Sequence, residues 1–411
     1  MLKEKYVDRI KETSINVVQT NIESIRNKDI TKTGIRVFKD GFIGAAGNIG
    51  SYEEVELEKE AEKALENKIS YEFEVTKDKK ESLDLYSEII SPNNVVEEID
   101  KLLSDMRRAQ TKFSFFNKIS LVEKEVSLVN DMGTSLYYRD KYIEFMLLFK
   151  EMSSINICDG FVGYKGRAYD RKKIIDLVNN ICDAYGNLVE LPEEKILPVV
   201  FGTPDEIELL YTKFAEDLSG LKMASKSSLF SKNIGERVFN EHFTLYSSCE
   251  PKSSMRPFFD AEGTVNEDYI YPLIKDGVVV APYTDKRTAS NYQLKLTGNS
   301  IADYDGVPAL GFTGFKIKES DKTIKELLNG QKGIFIMIAA GGGFTQEGDF
   351  ASTIQLAFLF DGEKLIGRLP QLSISSNIFD MFGKDYIGVS KDKVFSLGED
   401  KYLAMKLNIS R

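Results

Sequence analysis

The segments SLVEKEVSLV (120–129) and YIEFMLLFKEM (142–152) decide the fold class predicted for the first half of this chain. The first segment alternates apolar and polar residues in part, as a strand does when one of its faces is buried. The second segment is more continuously apolar, which predicts a more deeply buried strand. The polar groups NDMG (130–133) and RDK (139–141) are typical of turns between strands. Residues 112–163 are therefore predicted to form a set of strands joined by turns.

A long amphipathic helix is predicted at the N-terminus, because Ile10, Val17, Ile22 and Ile25 lie close to helical spacing between charged residues. Other predicted elements follow along the chain. They are a hairpin at 39–41, a helix from Ser51 with Glu54 in the capping-box position, a helix after Pro92, a helix at 170–184 and a helix that enters at Pro204 after Thr203.

A polar segment, GNLVELPEE (186–194), is the predicted boundary between two halves. Helices and an antiparallel sheet are predicted before it. After it the chain is rich in short strands, and AFLFDGEKLIG (357–367) is typical of a hairpin. This order predicts an α+β fold rather than an alternating parallel sheet. We expect an N-terminal helix/antiparallel-sheet domain at 1–190 and a strand-rich C-terminal domain at 195–411.

Composition restricts the classes of partner. The 411 residues carry a net charge of -10 and give a pI of about 5.1, and an acidic chain without a basic stripe is poorly suited to phosphate backbones. No apolar run approaches the ~20 residues of a membrane helix, and the first residues show no secretory pattern. Cys158, Cys182 and Cys249 are far apart, which favours a reducing compartment. We expect a cytoplasmic protein with no nucleic-acid and no membrane partner.

Histidine is nearly absent, since His242 is the one copy in the chain. A hydrolytic zinc site needs about three protein ligands, and its commonest helical signature needs two histidines. His242 and Cys249 with added carboxylates are the alternative set, but their spacing matches no usual pattern. We interpret His242 as the start of a strand and Cys249 as a small packed side chain. The sequence therefore predicts no metal ligands and no cofactor in this chain.

A serine–lysine pattern, S-x-x-K, occurs at Ser219 and Lys222. Ser219 and Gly220 lie where a helix is predicted to end, so a helix C-cap is the favoured interpretation. No nucleophile-elbow pattern surrounds Ser247 or Ser248. We therefore predict no catalytic residue.

Two carboxylates, Asp260 and Glu262, lie two residues apart in PFFDAEG. On a strand they share one face, which suits acid/base work or a hard cation. The alternative is that they accept hydrogen bonds from loop amides at a tight turn closed by Gly263. The first interpretation makes Asp260 and Glu262 candidate substrate-binding residues, whereas the second gives them a structural role.

Three glycines, Gly341, Gly342 and Gly343, follow the apolar strand IFIMIAA (334–340). Glycines permit a close approach of another backbone, so an extended peptide is a candidate ligand beside them. No GK[ST] follows, which excludes a phosphate-binding P-loop. The alternative is a loop that crosses the sheet in a backbone conformation that requires glycine.

Five blocks, taken in order, resemble the TldD/PmbA family, which is historically labelled as modulators of DNA gyrase. The resemblance covers most of the chain and is clearest after residue 197. The blocks are SLFSKNIGERVFNEHFTLYSS (228–248), RPFFDAEGT (256–264), LIKDGVVVAPYTDKRTAS (273–290), TGN (297–299) and GGGFTQEGDF (341–350).

The resemblance implies two kinds of subunit, of which one carries a zinc-binding HExxxH helix and the other lacks it. The equivalent helix here is expected near 208–218 and contains no histidine. This chain therefore resembles the PmbA type, also called TldE. In the family the two types pair into a cytoplasmic peptidase that acts on unfolded or small peptides, including leader peptides. The resemblance implies a zinc-bearing TldD-like partner and a peptide substrate, with this subunit shaping the cleft.

Two other functions stay open. One is a stand-alone metal-dependent peptidase that uses carboxylate ligands at Asp260 and Glu262. The other is a non-enzymatic homodimeric protein that binds peptides.

Overall fold

Strands dominate both halves of the chain in a computed structural model, which describes residues 1–395 and 401–411. The helices are α1 Glu54–Ala64, α2 Val95–Ala109, α3 Arg171–Gly186, α4 Pro204–Asp217, α5 Gly220–Ala224, α6 Pro251–Ser254, α7 Lys286–Tyr292, α8 Ile324–Leu328 and α9 Ile378–Met381. None of the helices in the described ranges is long and apolar enough to cross a membrane.

The strands are numbered in chain order. They are β1 Leu2–Val18, β2 Asn21–Lys39, β3 Phe42–Ile49, β4 Ile69–Ser70, β5 Lys80–Asp84, β6 Phe113–Asn130, β7 Ser135–Glu151, β8 Gly160–Gly166, β9 Ile196–Phe201, β10 Leu245–Ser248, β11 Ile270–Lys275, β12 Val278–Val279, β13 Ser300–Ile301, β14 Ala309–Leu310, β15 Phe315–Ile317, β16 Gly333–Phe344, β17 Asp349–Phe360, β18 Leu365–Arg368, β19 Leu372–Asn377, β20 Tyr386–Val389 and β21 Leu403–Ser410.

An eight-stranded sheet occupies the first half, in the order β4-β3-β2-β1-β6-β7-β5, with β8 paired to β7. The long strands β1, β2, β6 and β7 are mutually antiparallel. The α+β class is confirmed, and so are the strands expected between 112 and 163. The hairpin at 39–41 is confirmed as the turn between β2 and β3.

The long N-terminal helix is a wrong prediction, because residues 2–39 form β1 and β2. Along its length β1 pairs with β2 on one side and with β6 on the other. Ile15 and Val17, two residues apart, are both fully buried, as the period of a strand requires. Gln19 and Thr20 make the tight turn with φ values of 48° and 59°. Pairing on both sides outweighs the helical spacing of the isoleucines.

Two local predictions in the first half are also wrong. Residues 139–141 lie in the middle of β7 and make no turn, because Asp140 is fully buried and paired with Arg167 of the segment after β8. The helix expected from Ser51 begins at Glu54, with Glu53 at its N-cap and no side-chain cap. The helices expected after Pro92, at 170–184 and after Thr203 are confirmed as α2, α3 and α4.

A second sheet of seven strands lies in the other half. Its pairings run β16-β9-β21-β19-β17, and β17 also pairs with β16, so these five strands close into a ring. β18 extends β17 as the predicted hairpin at 357–367, and β20 pairs with β21. A four-stranded sheet, β12-β11-β10-β15, stands beside it. α4 packs on β16, and its Tyr211 contacts Phe315 of β15, so this helix lies between the ring and the smaller sheet.

The two halves are joined by close packing. One apolar core contains Leu102 and Ile181 from the first half and Phe335, Phe358 and Tyr402 from the second. A continuous core of this kind holds the two sheets in one arrangement.

Backbone contacts add to the join between the halves. A Cβ atom on Gly34 of β2 would lie 1.6 Å from the carbonyl oxygen of Tyr304, so only glycine permits this approach. Arg36 of β2 is buried, donates to Gly306 O at 3.2 Å and pairs with Glu4 at 3.1 Å. The loop around residue 305 is therefore anchored on the first sheet.

Candidate functional site

Two adjoining cavities flank the side chains of Arg256 and Phe312, which line both of them. The first has a volume of about 110 Å³ and is bordered by α4, and the second has about 220 Å³ and reaches Tyr6 of the first sheet. We call their combined surface the Arg256 groove. It is defined by Tyr6, Ile207, Tyr211, Arg256, Asp260, Phe312 and Phe315.

Aromatic side chains form one wall of the Arg256 groove. The ring centroids of Phe312 and Phe315 are 4.4 Å apart, and those of Tyr211 and Phe315 are 5.8 Å apart in an edge-to-face arrangement. Such pairs are rigid and present apolar area at little entropic cost. The wall suits an apolar side chain of a ligand.

The turn that carries Arg256 is held by two side chains, Glu250 and Arg167. Glu250 caps α6 by accepting from the backbone N–H groups of Lys252 at 2.9 Å and Ser253 at 3.1 Å. Arg167 donates to the carbonyl of Pro251 at 2.6 Å and to that of Lys252. Its guanidinium also makes a bidentate pair with buried Asp140, at 2.8 and 2.7 Å. The position of Arg256 is therefore fixed by a buried ion pair of the first half.

Asp260 borders the second cavity but is itself buried, with 5% of its surface exposed. Its Oδ1 accepts from the N–H groups of Glu262 at 3.0 Å and Thr264 at 2.8 Å, and its Oδ2 accepts from Ser300 N at 3.1 Å. Burial raises the pKa of Asp260, and the backbone N–H groups oppose that rise. The predicted turn closed by Gly263, whose φ is 70°, is present.

Glu262 is also buried and connects the two halves. Its Oε1 accepts from the hydroxyl of Tyr71 at 2.9 Å, and its Oε2 accepts from Lys286 N at 2.9 Å. The ammonium of Lys286 donates to Thr76 Oγ1 at 2.9 Å. Burial raises the pKa of Glu262, with repulsion from Asp260 adding to it, and burial lowers the pKa of Lys286. This network fastens the segment 71–76 to the second half.

The three glycines lie in β16 rather than in a loop, which corrects the loop interpretation. Gly342 pairs with Ser352 of β17, and the register between Ala339 and Gly342 contains a bulge of one extra residue. The φ values of Gly341 and Gly342 are 91° and 118°, and both residues are exposed. No hydrogen bond among the described residues joins this glycine segment to the Asp260 turn.

Glu206 was not found by sequence reasoning. It lies in the first turn of α4, its Oε1 accepts from Ala339 N at 3.1 Å, and its Oε2 is buried without a hydrogen-bond partner among the residues that the structure describes. Burial raises the pKa of Glu206 to about 7. This carboxyl therefore ties the helix beside the Arg256 groove to the bulged end of β16. An acidic residue in a first helical turn is usually an exposed charge, so the sequence carries no signal for this contact.

His242 and Cys249 are not brought together. The His242 side chain is 82% exposed with Glu241 3.9 Å away, and it lies three residues before β10, so it does not start that strand as predicted. Burial raises the pKa of the Cys249 thiol to about 12. In residues 1–395 and 401–411, no three histidine, cysteine or acidic side chains are grouped to hold a metal ion.

The serine–lysine pattern lies at the start of a helix, which corrects the C-cap interpretation, because Leu218 is the C-cap of α4. Ser219 is the N-cap of α5, and the ammonium of Lys222 pairs with Glu216. This lysine is therefore engaged by a carboxylate in the described structure.

Models of one protein family match this chain at both ends. The model of the PmbA/TldA metallopeptidase C-terminal domain matches residues 193–406, and that of PmbA/TldA metallopeptidase domain 1 matches residues 6–68. An uncharacterized protein of Methanocaldococcus jannaschii is 24% identical over 90% of this chain and 87% of its own length. A second protein of that organism, metalloprotease MJ0996, is 28% identical over 42% of this chain and 38% of its own length.

Solved structures share the whole fold. TldE from Thermococcus kodakarensis has a TM-score of 0.80 at 19% identity, covering 100% of this chain and 97% of its own. A protein of Thermotoga maritima, assigned as a candidate modulator of a DNA gyrase, has a TM-score of 0.77 at 17% identity, covering 100% and 96%. At these identities the likeness shows the architecture, while the family models show the relationship.

Proposed function

The chain belongs to the PmbA/TldD family, and from that membership we propose that it is the PmbA/TldE-type subunit of a TldD-like zinc metallopeptidase complex. In this role it shapes a cleft for extended or unfolded peptides and holds no zinc of its own. The main support for this proposal is the sequence of α4, PDEIELLYTKFAED, which contains no histidine. This helix borders the Arg256 groove. A zinc site on this helix lacks the imidazole ligands that such sites use.

Within residues 1–395 and 401–411, the side chains do not fit a hydrolytic zinc ion elsewhere either. His242 is the single histidine and is exposed, away from both cavities. The Asp260 oxygens already accept three backbone N–H groups, and the Glu262 oxygens accept from Tyr71 and Lys286. We therefore assign the zinc and the hydrolytic step to the partner subunit.

The substrate side of the proposal uses the Arg256 groove and the glycine segment. Asp260 borders the groove, Glu262 holds the same turn, and Gly341, Gly342 and Gly343 form a bulged strand end with exposed backbone. Exposed strand backbone is a template for an added peptide strand.

The three cysteines are unpaired, which supports a reducing cytoplasm as the compartment.

The test is to purify the full chain alone and together with a zinc-bearing family member from the same organism. Zinc per polypeptide is measured by elemental analysis, and cleavage is measured on an unfolded peptide. We expect substoichiometric zinc and no cleavage for the chain alone. The complex is expected to hold about one zinc per pair and to cleave the peptide.

The His242→Ala variant is the matched control, because it removes the one histidine without touching the groove. It should assemble and support cleavage as the wild type does. About one tightly held zinc per chain, with cleavage by the isolated protein, would refute the proposal. A homodimer that binds peptides and ignores the zinc-bearing partner would refute it as well.

A further inference from the structure

Arg256 is the point at which the two cavities of the groove meet. Its side chain is exposed and lines both cavities, as only Phe312 also does among the residues that the structure describes. Its Nη1 donates to the carbonyl of Thr313 at 2.8 Å, and Thr313 lines the second cavity. Within the described structure no carboxylate lies within 4.0 Å of this guanidinium.

The other cations of the first cavity are engaged. Lys316 lies 3.8 Å from a carboxylate oxygen of Glu250, and Lys401 lies 4.0 Å from one of Glu319. Asp260, the acid nearest in sequence, is saturated by backbone N–H groups. Arg256 is therefore a positive charge beside a cavity, and its guanidinium has N–H donors that are not used in the turn.

Nearby hydroxyl groups are also satisfied within the turn. The hydroxyl of Ser254 donates to Glu250 O at 2.6 Å, that of Ser253 bonds to the Glu250 carboxylate, and that of Ser248 accepts from Glu250 N at 3.2 Å. These hydroxyl groups hold the turn, and the Arg256 guanidinium keeps N–H donors that a ligand can use.

The shape and chemistry select one kind of ligand group. A guanidinium offers a planar fork that matches a carboxylate in a bidentate pair. The aromatic wall of Phe312 and Phe315 begins beside it and suits an apolar side chain. A carboxylate next to an apolar side chain occurs at the C-terminal end of a peptide whose last residue is apolar.

We propose that Arg256 binds a peptide carboxylate in this groove, with the terminal α-carboxylate on the guanidinium and the terminal apolar side chain against Phe312 and Phe315. The proposal rests on the proposed function, in which the subunit holds extended peptides. It adds a direction to that binding, because the chain end of the peptide is fixed at Arg256.

The positioning of Arg256 depends on Arg167 and Asp140. Arg167 holds the carbonyl groups of Pro251 and Lys252, and Asp140 holds Arg167. The turn is thus preorganised before a ligand arrives, which reduces the entropic cost of binding.

The experiment measures fluorescence anisotropy with the full chain and two hexapeptides. Both peptides are uncharged apart from their ends, carry an N-terminal fluorophore and end in phenylalanine, and one is a free acid while the other is an amide. We expect the acid to bind on the order of tenfold more tightly than the amide, as a charged hydrogen-bonded contact gives. In Arg256→Gln the acid should bind no better than the amide.

Lys252→Gln is the matched control, since it removes an exposed positive charge four residues away without lining either cavity. It should keep the preference for the acid. A third peptide, amidated and with one internal aspartate, separates a terminal carboxylate from a side-chain carboxylate. Recovery of tight binding by that peptide assigns the Arg256 contact to acidic side chains and overturns the terminal assignment.

Equal affinity for acid and amide in the wild type would overturn the proposal, and so would a preference that survives in Arg256→Gln or an absence of saturable binding. The acid–amide comparison uses the wild type, so it does not depend on how the variant folds. This readout is independent of the zinc and cleavage measurements. A chain that prefers the acid but ignores a zinc-bearing partner separates failure of the proposed complex from failure of this site.

Discussion

The Asp260–Glu262 turn and the Gly341–Gly343 segment carry the same prediction from sequence, contact with a peptide, but they occupy opposite environments. The two carboxylates are 5% and 2% exposed, and each of their oxygens accepts a hydrogen bond. The glycine segment lies at the bulged end of β16 with Gly341 and Gly342 exposed. The Asp260–Glu262 turn is therefore the locked region, in which every carboxylate oxygen is hydrogen-bonded inside the protein. The Gly341–Gly343 segment is the open region, whose backbone is exposed at Gly341 and Gly342.

The difference separates two ways of contributing to a binding cleft. A saturated carboxylate holds its loop and so places neighbours such as Arg256, which starts the same RPFFDAEGT block and is exposed. An open strand end offers its own backbone to a ligand. A short acidic motif is therefore better evidence for a turn than for a ligand contact until its hydrogen bonds are known.

The largest expected effect comes from Asp260→Ala. Three buried N–H groups would lose their acceptor, and each such loss costs about 1–3 kcal/mol. We expect the free energy of unfolding to fall by about 4 kcal/mol, measured by urea denaturation. Glu267→Ala, in the exposed segment after the turn, should change it by less than about 0.5 kcal/mol.

A small stability change in Asp260→Ala together with weaker peptide binding would reverse the comparison. The carboxylate would then serve the ligand more than the turn. Asp260→Asn provides a graded case, because its amide oxygen keeps one acceptor in place.

The next effect concerns pH and Glu206, which joins α4 to the start of the open segment. Its pKa is raised to about 7 in the folded protein from 4.5. Between these pH values the folded state holds more protons than the unfolded state, so the free energy of unfolding falls as pH rises from 4.5 to 7. The fall contributed by this group is about 3 kcal/mol. Glu206→Gln, which mimics the protonated form, should remove it.

Denaturant unfolding at pH 5 and pH 8 measures this difference. Glu208→Gln, an exposed neighbour on the same helix, should keep the wild-type difference between the two pH values. An unchanged difference in Glu206→Gln would mean that the carboxyl finds a partner or water that neutralises its burial.

The sequence predicted the fold class because strand alternation at 120–129 is local, and β6 pairs with its immediate neighbour β7. It failed at residues 2–39, where pairing with β6, more than 100 residues away, decides the structure. It also failed at Asp140, which looks like a turn residue until Arg167 supplies its charge partner. Contacts with residues that are distant in the chain decide the structure in these places, and the local periodicity of the sequence does not show them.

The dependence on distant contacts also explains which residues of the candidate site could be predicted from the sequence. RPFFDAEGT and the glycines were found because their residue types are unusual in any context. Glu206 and the role of Arg167 were missed, because Ala339 N lies 133 residues from Glu206 and Pro251 O lies 84 residues from Arg167. A buried carboxyl and an ordinary exposed one have the same letter in the sequence.

The smallest expected effect distinguishes two neighbouring glycines and sharpens the description of the open region. A Cβ atom on Gly342 would lie 2.4 Å from the carbonyl oxygen of Ala351, whereas one on Gly341 would meet nothing within 4 Å. Both variants to alanine carry the strain of a positive φ, about 1 kcal/mol, and only Gly342→Ala adds a backbone clash. We expect Gly342→Ala to be less stable than Gly341→Ala by about 2 kcal/mol, measured by urea denaturation.

Peptide binding should rank these two variants differently from stability. If a peptide strand lies along this segment, the exposed methyl group of Gly341→Ala meets it directly, and affinity should fall while the fold is nearly intact. Unchanged affinity in Gly341→Ala would leave the glycines a purely structural role, in which Gly342 relieves the bulge against β17. The open region would then resemble the locked one, and Arg256 would stand alone as the peptide contact of this chain.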